Sequence, residues 1–219
     1  MSAETIKAAS PGDVAEIMGL IRSVSESMSD DGIDQWDDIY PDSDTIEQDI
    51  SQGALFAYFS GGKIAAIMVL NESFDPSYDT VDWSPRIKRP RFVHRLCVSP
   101  MFRKKGIAKT LMEYAEKEAI GNGFDSIRLD AYSKNPAAVK LYQNLGYRMA
   151  GEVDLRKGRF FCFEKVIRRE EAPGDTRLER ILKERFGKAP QFGSLMDNIV
   201  DGLFNDPNKD PEENGKQAD

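Results

Sequence analysis

The sequence predicts an α/β domain in which helices flank a mixed central sheet of about seven strands, followed by a helical C-terminal extension. Strand and helix patterns alternate over residues 91–145, which implies some parallel pairing between strands. Pairs of strand patterns around short glycine turns at 55–71 and 147–167 predict antiparallel hairpins. Because both kinds of pairing fall in one sheet, that sheet is mixed.

The elements before the first hairpin follow from local signals. A short strand over 5–8 precedes Ser10, which opens a capping box with proline at the first helical position. Apolar residues at helical spacing define the buried face of a first helix: Val14, Ile17, Met18, Ile21 and Val24. Ser43 or Asp44 is expected to cap a second helix that runs through Ser51.

The strand over 91–98 and the helix after it form the centre of the chain. Strict alternation predicts two faces for this strand: Phe92, His94, Leu96 and Val98 on one, and Val93, Arg95 and Cys97 on the other. The helix begins at Ile107 and ends at the glycines around Asn122. A further strand over 126–131 leads to a helix that Asn135 is expected to cap.

Bulk composition narrows the classes of partner and location. The 219 residues are 40% hydrophobic, which suits one domain with a core plus an appendage. A net charge of −7 argues against nucleic acid as a partner, and no apolar run approaches the roughly 20 residues of a membrane span. The N-terminus lacks an apolar signal region, and Cys97 and Cys162 make no disulfide framework, so a cytoplasmic location is expected. One histidine without a Cys/His cluster predicts no metal site.

The charges are unevenly distributed along the chain. Residues 23–62 contain ten acids and no lysine or arginine, whereas residues 86–109 contain nine bases and no acid. Two interpretations are open. In the first, both stretches are simply solvated surface. In the second, the basic stretch binds a phosphate-bearing cofactor and the acidic stretch attracts a cationic substrate.

A basic turn opens the helix that begins at Ile107. Such a turn presents unpaired backbone N–H groups at the positive end of the helix dipole, which makes it a candidate anion site. Its residues are Arg103, Lys104, Lys105, Gly106, Ile107 and Ala108. They resemble the R/Q-x-x-G-x-G/A signature of the GCN5-related N-acetyltransferase (GNAT) family, in which this turn holds the pyrophosphate of acetyl-CoA. A nucleotide phosphate loop is excluded, because Arg103 and Ala108 stand where it needs glycines.

A second motif supports the resemblance. Residues 129–135 (LDAYSKN), Ala138 and residues 141–147 (LYQNLGY) are similar to the family's L-x-x-x-x-x-N…A…L-Y-x-x-x-G-F/Y block. The resemblance covers about residues 5–167, within a domain expected over 1–167. It implies the acyl-CoA N-acyltransferase fold, with two central strands splayed apart. It also implies an enzyme that moves an acetyl group from acetyl-CoA directly to a primary amine in a ternary complex.

The resemblance implies which residues bind the cofactor. Backbone groups at the end of the 91–98 strand would pair with the pantetheine arm and polarise the thioester: Leu96, Cys97 and Val98. Residues 103–108 would hold the phosphates together with Lys109 and Thr110. Asn135 and Ala138 would lie along the pantetheine arm.

Two side chains are candidates for proton transfer. Tyr142 stands where the family often carries a general acid beside the thioester sulfur, although its spacing also fits a core tyrosine. His94 is the candidate base, since an ordinary pKa of about 6.5 suits proton transfer at neutral pH. A structural histidine and a relay through carboxylates and water are the alternatives, with Glu72 as reserve base and substrate-binding candidate. Cys97 is interpreted as a packing residue, because alternation places it opposite His94.

The acceptor is expected to bind around residues 30–41, which cover the acceptor pocket in the family. Trp36 and Tyr40 would wall this pocket, or they simply pack the segment down. Acidic residues beside them would attract an amine: Asp34, Asp37 or Asp38. The expected acceptor is a small cationic amine or an amine of a protein or peptide. The 72–90 loop is either a substrate loop or a decorated turn.

The chain continues beyond the resemblance. Residues 168–204 carry two amphipathic helix patterns, whereas residues 205–219 are polar and are expected to be disordered. The apolar helix face would pack on its own domain, on a second copy or on a partner, so monomer and homodimer are both open. Two rival functions follow: a catalytically silent CoA-binding regulatory module, and a scaffold that binds a partner through this helix.

Overall fold

Seven strands form one mixed sheet in the computed structural model, which describes residues 4–85 and 87–167. The strands are β1 (Thr5–Ala8), β2 (Leu55–Ser60), β3 (Lys63–Asn71), β4 (Pro90–Val98), β5 (Ser126–Tyr132), β6 (Arg148–Leu155) and β7 (Gly158–Val166). The helices are α1 (Val14–Asp30), α2 (Ser43–Ser51), α3 (Ile107–Gly121) and α4 (Pro136–Asn144). This order confirms the predicted fold class. The predicted extension over 168–204 and the tail over 205–219 lie outside the described residues.

The sheet opens between its two central strands. The strand order is β1-β2-β3-β4-β5-β7-β6, and only β4 and β5 pair in parallel, because the α3 crossover joins them. Their pairing runs from Pro90 and Ser126 to Val93 and Leu129 and then stops. Since β4 continues to Val98 and β5 to Tyr132, the strands separate beyond this point. The splayed sheet implied by the resemblance is therefore confirmed.

Apolar residues cover both faces of the sheet. Helices α1 and α2 bury Ile17 and Ile46 against Ile67 of β3 on one face, while α3 buries Leu111 against Met68 on the other. Each of these five side chains is fully buried, and each such burial contributes roughly 1.5–3 kcal/mol. Two separate cores therefore cover β3, the neighbour of β4, from opposite faces of the sheet.

An extra residue in β4 interrupts its alternation. Cα pairing with β3 passes from His94 opposite Val69 to Cys97 opposite Ile67, so three steps on β4 match two on β3. Arg95 has a φ of 51°, in the left-handed region that side chains other than glycine rarely adopt. This is a β-bulge, which bends the strand and re-aims its side chains.

The bulge overturns the predicted faces of β4. Residues directly opposite each other on antiparallel strands point to the same face, and Val69 and Ile67 both belong to the core under α1 and α2. His94 and Cys97 therefore share that face, whereas Leu96 packs against the core under α3. The predicted strict alternation, which set His94 opposite Cys97, is wrong because a one-residue insertion reverses the phase of every later residue.

Two of the predicted helix caps differ in outcome. Asn135 caps α4 as expected, with Oδ1 accepting a hydrogen bond from the backbone N–H of Ala138 at 3.1 Å. The cap of α2 is Asp42 rather than Ser43 or Asp44, because its carboxylate reaches the backbone N–H of Thr45 at 2.9 Å. Each cap satisfies a backbone donor that the first helical turn leaves unpaired.

Residues 4–85 and 87–167 contain neither a membrane-spanning helix nor a cluster of metal ligands. No helix there has both the length and the apolar composition to cross a bilayer. No group of three or more histidine, cysteine, aspartate or glutamate side chains is arranged there to hold a metal ion.

Candidate active site

A cavity of about 650 Å³ lies where β4 and β5 separate. The 31–42 segment, the 72–89 loop and the β6–β7 turn complete its walls. Five of the residues predicted from the sequence line it: Trp36, Tyr40, His94, Leu96 and Tyr142. Glu72 is exposed and lies outside the lining, because β3 ends at Asn71 and the next residue turns to solvent.

His94 is a neutral imidazole at the wall of this cavity. Its Nε2 lies 2.9 Å from the carbonyl oxygen of Ser73, which can only accept, so Nε2 carries the proton and Nδ1 is free of one. Burial lowers the pKa of His94 to about 4, although the Ser73 bond opposes the shift, and the charge of Arg95 lowers it further. The imidazole is therefore neutral at physiological pH and much less basic than the ordinary value expected from the sequence.

Tyr142 combines the two interpretations that its sequence position allowed. Its ring packs against Tyr147 and Phe163 in the core under α3, with ring centroids 6.0 and 5.8 Å away. The residue also lines the cavity, and its hydroxyl makes no hydrogen bond within the described part of the chain. Burial raises the pKa of Tyr142, so the phenol keeps its proton throughout the neutral range.

Asp130 is a cavity residue that the sequence analysis missed. It follows Leu129, the last β5 residue paired with β4, and it lines the cavity. Tyr78 of the 72–89 loop donates a hydrogen bond from its hydroxyl to Oδ2 of Asp130. Burial raises the pKa of Asp130, a shift that the Tyr78 bond opposes and the nearby charge of Asp75 increases. One sequence signal could have identified it: Asp130 alternates with the apolar residues of its strand and so lies on the opposite face from them.

Ion pairs join the 31–42 segment to the turn between β6 and β7. Arg156 donates two hydrogen bonds to Asp37, at 2.8 and 2.9 Å, and Lys157 lies 2.6 Å from Asp34. The pKa of Asp37 is held well below its usual range, first by the Arg156 bond and then by Lys157. Two of the acids expected to attract an amine are therefore already paired with bases of the protein itself.

The turn before α3 has the features of an anion site. Lys104 and Gly106 adopt positive φ values of 62° and 81°, which folds the chain sharply into the first helical turn. The first intrahelical bond runs from the N–H of Thr110 to the carbonyl of Gly106, so the N–H groups of the three residues between them have no helical acceptor. The predicted phosphate-binding side chains of Arg103, Lys104, Lys105 and Lys109 are exposed around it. Arg103 also donates to the hydroxyl of Ser27 on α1 at 2.8 Å.

The remaining predicted cofactor contacts lie along the edges of the gap. Beyond Val93, the side of β4 that faces β5 has no partner strand, and this edge includes Leu96 and Val98. The Cys97 side chain points into the core under α1 and α2, where burial raises the pKa of its thiol to about 12 and favours a packing role. Asn135 donates from Nδ2 to the side chain of Gln35 at 3.1 Å, while Ala138 is half-buried behind it.

Comparison with known proteins identifies relatives along the described region. A family model described as the acetyltransferase (GNAT) family matches residues 21–147. The uncharacterized N-acetyltransferase YesJ of Bacillus subtilis (strain 168) is 27% identical over 162 residues, which cover 72% of this chain and 87% of YesJ. A GNAT-family acetyltransferase structure from Streptococcus agalactiae 2603 has a TM-score of 0.67 at 26% identity, covering 75% of this chain and 96% of the other.

A third similar structure was solved with a ligand. The PaiA N-acetyltransferase from Thermoplasma acidophilum, in complex with coenzyme A, has a TM-score of 0.59 at 18% identity, over 75% of this chain and 99% of the other. At this identity the similarity shows the fold alone. The family model, by contrast, spans more than half of the chain, including the turn before α3 and the motif on α4. The protein therefore belongs to the acetyltransferase (GNAT) family and is an acyltransferase enzyme.

Proposed function

We propose that this protein is an N-acetyltransferase that moves the acetyl group of acetyl-CoA directly to a primary amine in a ternary complex. One observation carries the proposal: the cavity at the β4–β5 gap is lined by both a neutral imidazole, His94, and a protonated phenol, Tyr142. Direct transfer needs a proton acceptor for the amine and a proton donor for the thiol, and these two groups can serve those needs.

The residues present fit acetyl-CoA as the donor substrate. The phosphates would be held by residues 103–108 with Lys109 and Thr110, through the free N–H groups of residues 107–109 and the exposed cations around them. The pantetheine arm would pair with the open edge of β4 over Leu96, Cys97 and Val98, next to Asn135 and Ala138. Trp36 and Tyr40, from the segment over the cavity, would contact the acceptor. Glu72 has no role in this proposal, since it is exposed outside the cavity.

The proposed chemistry assigns one proton to each of the two catalytic side chains. When bound, acetyl-CoA supplies a thioester whose C–S bond breaks as its acetyl carbon bonds to the amine nitrogen. Nδ1 of His94 accepts the proton that this nitrogen loses, and Tyr142 donates the proton that the departing sulfur needs. His94 is a weak base, with its pKa lowered to about 4 by burial, so it accepts the proton only after attack has made the nitrogen acidic.

Thermal melting with acetyl-CoA, CoA, ATP and NAD in parallel tests the donor. A ligand at 100 times its dissociation constant stabilises the folded state by about 2.7 kcal/mol, which is about 5–11 °C for a chain of this size. Of the four ligands, we expect only acetyl-CoA and CoA to raise the melting temperature. With a panel of primary amines as acceptors, we then expect the protein to release CoA thiol from acetyl-CoA. Stabilisation by CoA without thiol release from any amine would contradict the transferase and favour the silent CoA-binding module.

A further inference from the structure

The positive charges that line the cavity are already neutralised. The guanidinium of Arg95 lies 3.2 Å from the carboxylate of Asp49 on α2. Arg156 and Lys157 both pair with Asp37, at 2.8 and 2.9 Å. Since the imidazole on β4 is neutral as well, the described residues leave no unpaired cation in the cavity wall to receive an anionic substrate.

The carboxylate of Asp130, in contrast, is not neutralised, because no cation of the described chain pairs with it. Its one hydrogen bond comes from the hydroxyl of Tyr78. The titratable groups that interact with it come from the 72–89 loop, the 31–42 segment, α4 and β7, and all are neutral or acidic: Tyr78, Asp75, Tyr40, Tyr142 and Cys162. A half-buried carboxylate among such neighbours lacks the positive charge that would offset its loss of water.

The register of the sheet brings Asp130 and His94, the proposed base, to the same face of the sheet at the cavity. Val93 and Leu129 form the last pair between β4 and β5, and both point into the core under α3. Side chains alternate along a strand, so the next residues, His94 and Asp130, both point to the opposite face, into the cavity. A ligand held by the carboxylate of Asp130 therefore lies beside the imidazole of His94.

We infer that Asp130 binds the acceptor as an ammonium ion, so that the acceptor class is primary alkylamines rather than aromatic amines, which are uncharged at neutral pH. This inference rests on the proposed transfer to an amine. Tyr78, Trp36 and Phe160 line the same cavity, and aromatic rings attract cations. Because burial raises the pKa of Asp130, its carboxylate can also take one proton from the ammonium and leave the neutral amine that attacks.

Calorimetry with n-butylammonium chloride on the CoA-saturated protein tests the binding step. Asp130→Asn keeps the shape and the Tyr78 hydrogen bond but removes the charge, and we expect the dissociation constant to rise at least tenfold, or about 1.4 kcal/mol. Asp154→Asn is the matched control, because this exposed carboxylate lines the same cavity but lies 3.9 Å from Arg159. We expect its effect to stay within about twofold. Equal affinities in the two variants, or equally tight binding of n-butanol, would overturn the inference.

Thermal stability separates a binding role from a structural one. If Asp130 had a structural role, replacing it would destabilise the protein. In the ammonium-site proposal Asp130→Asn removes an unpaired charge, so the variant protein should melt at the wild-type temperature or a few degrees higher at pH 8. The folded-state pKa of Asp130 is raised, so its ionised form destabilises the fold at pH values above that pKa. The difference should shrink as the pH falls towards the unfolded value of about 3.9. A clearly lower melting temperature at pH 8 would overturn the inference.

Thiol release from acetyl-CoA distinguishes this inference from the proposed function. If wild-type protein acetylates alkylamines and Asp130→Asn keeps the same KM for them, the ammonium site is overturned and the transferase stands. If butylammonium binding depends on Asp130 but no amine releases thiol, the transferase is overturned and the ammonium site stands. Raised KM for alkylamines in Asp130→Asn, with the KM for acetyl-CoA unchanged, supports both.

Discussion

A buried ion pair between β5 and β7 anchors the long loop that walls the cavity. Glu164 is almost fully buried, and its carboxylate lies 2.8 Å from Nε of Arg128. It also accepts a hydrogen bond from the backbone N–H of Ser84 at 2.9 Å, while the guanidinium of Arg128 lies 4.6 Å from the ring centroid of Trp83. These contacts hold the 72–89 loop on the sheet, so the substitution Glu164→Gln should loosen it.

The expected cost follows from burial. The side chains of Glu164 and Arg128 are 1% and 11% exposed, so the neutral amide leaves a buried guanidinium without its counter-charge. Removing one partner of a buried pair costs about 3–5 kcal/mol, and we expect about 3 kcal/mol because the amide oxygen still accepts a hydrogen bond. For a chain of this size, that lowers the melting temperature by about 6–12 °C.

Circular dichroism melting and urea unfolding measure this loss. Glu113→Gln is the matched control, since it removes the same charge from an exposed pair on α3, 3.7 Å from Lys109, with side chains 50% and 61% exposed. Exposed pairs of this kind contribute about 0.3–0.5 kcal/mol. If the two variants melt within about 1 °C of each other, burial does not set the energy of the Glu164 pair and the reasoning is refuted.

The pH dependence of stability tests whether the charge of Glu164 causes this loss. Burial raises the pKa of Glu164, but the hydrogen bonds from Ser84 and Arg128 outweigh it, so the net shift is downward. A lowered pKa stabilises the fold above the unfolded value of about 4.3, and that stability is lost as the pH falls through the folded value. The gap between wild type and Glu164→Gln should therefore narrow below about pH 4. An unchanged gap there would mean that the charge is not the cause.

Three further predictions concern the proposed catalytic and cofactor-binding residues. Tyr142→Phe should lower kcat about 100-fold without changing acetyl-CoA affinity, whereas Tyr147→Phe, on the neighbouring ring, should stay within about twofold; equal kcat values would remove Tyr142 from the mechanism. Because burial lowers the pKa of His94 to about 4, kcat/KM should show no inflection near pH 6.5, and an inflection there that His94→Gln abolishes would contradict the structure. Gly106→Glu should weaken acetyl-CoA binding at least about tenfold in calorimetry by placing negative charge at the anion site, while Gly121→Glu, at the other end of α3, should not; equal affinities would move the phosphates elsewhere.

Local signals in the sequence determined the elements and their order. The hairpin over 55–71 and the first strand over 5–8 have the predicted bounds, because alternation and glycine turns are properties of neighbouring residues. The cap at Asn135 was predictable for the same reason, since a cap acts within one helical turn. The basic turn over 103–108 and the motif that includes Tyr142 predicted the family, and the family model confirms it.

Tertiary structure alone decided which side chains point into the cavity and how their charges are paired. The bulge at Arg95 depends on pairing with β3, so alternation along β4 gave no sign of it. The acids near Trp36 were expected to attract an amine, but Arg156, more than a hundred residues away in the sequence, is paired with one of them. Asp130 became the candidate anchor only because its strand leaves β4 at that residue and no cation of the described residues pairs with it. Charge balance in a cavity depends on contacts between distant segments, and local sequence patterns do not contain them.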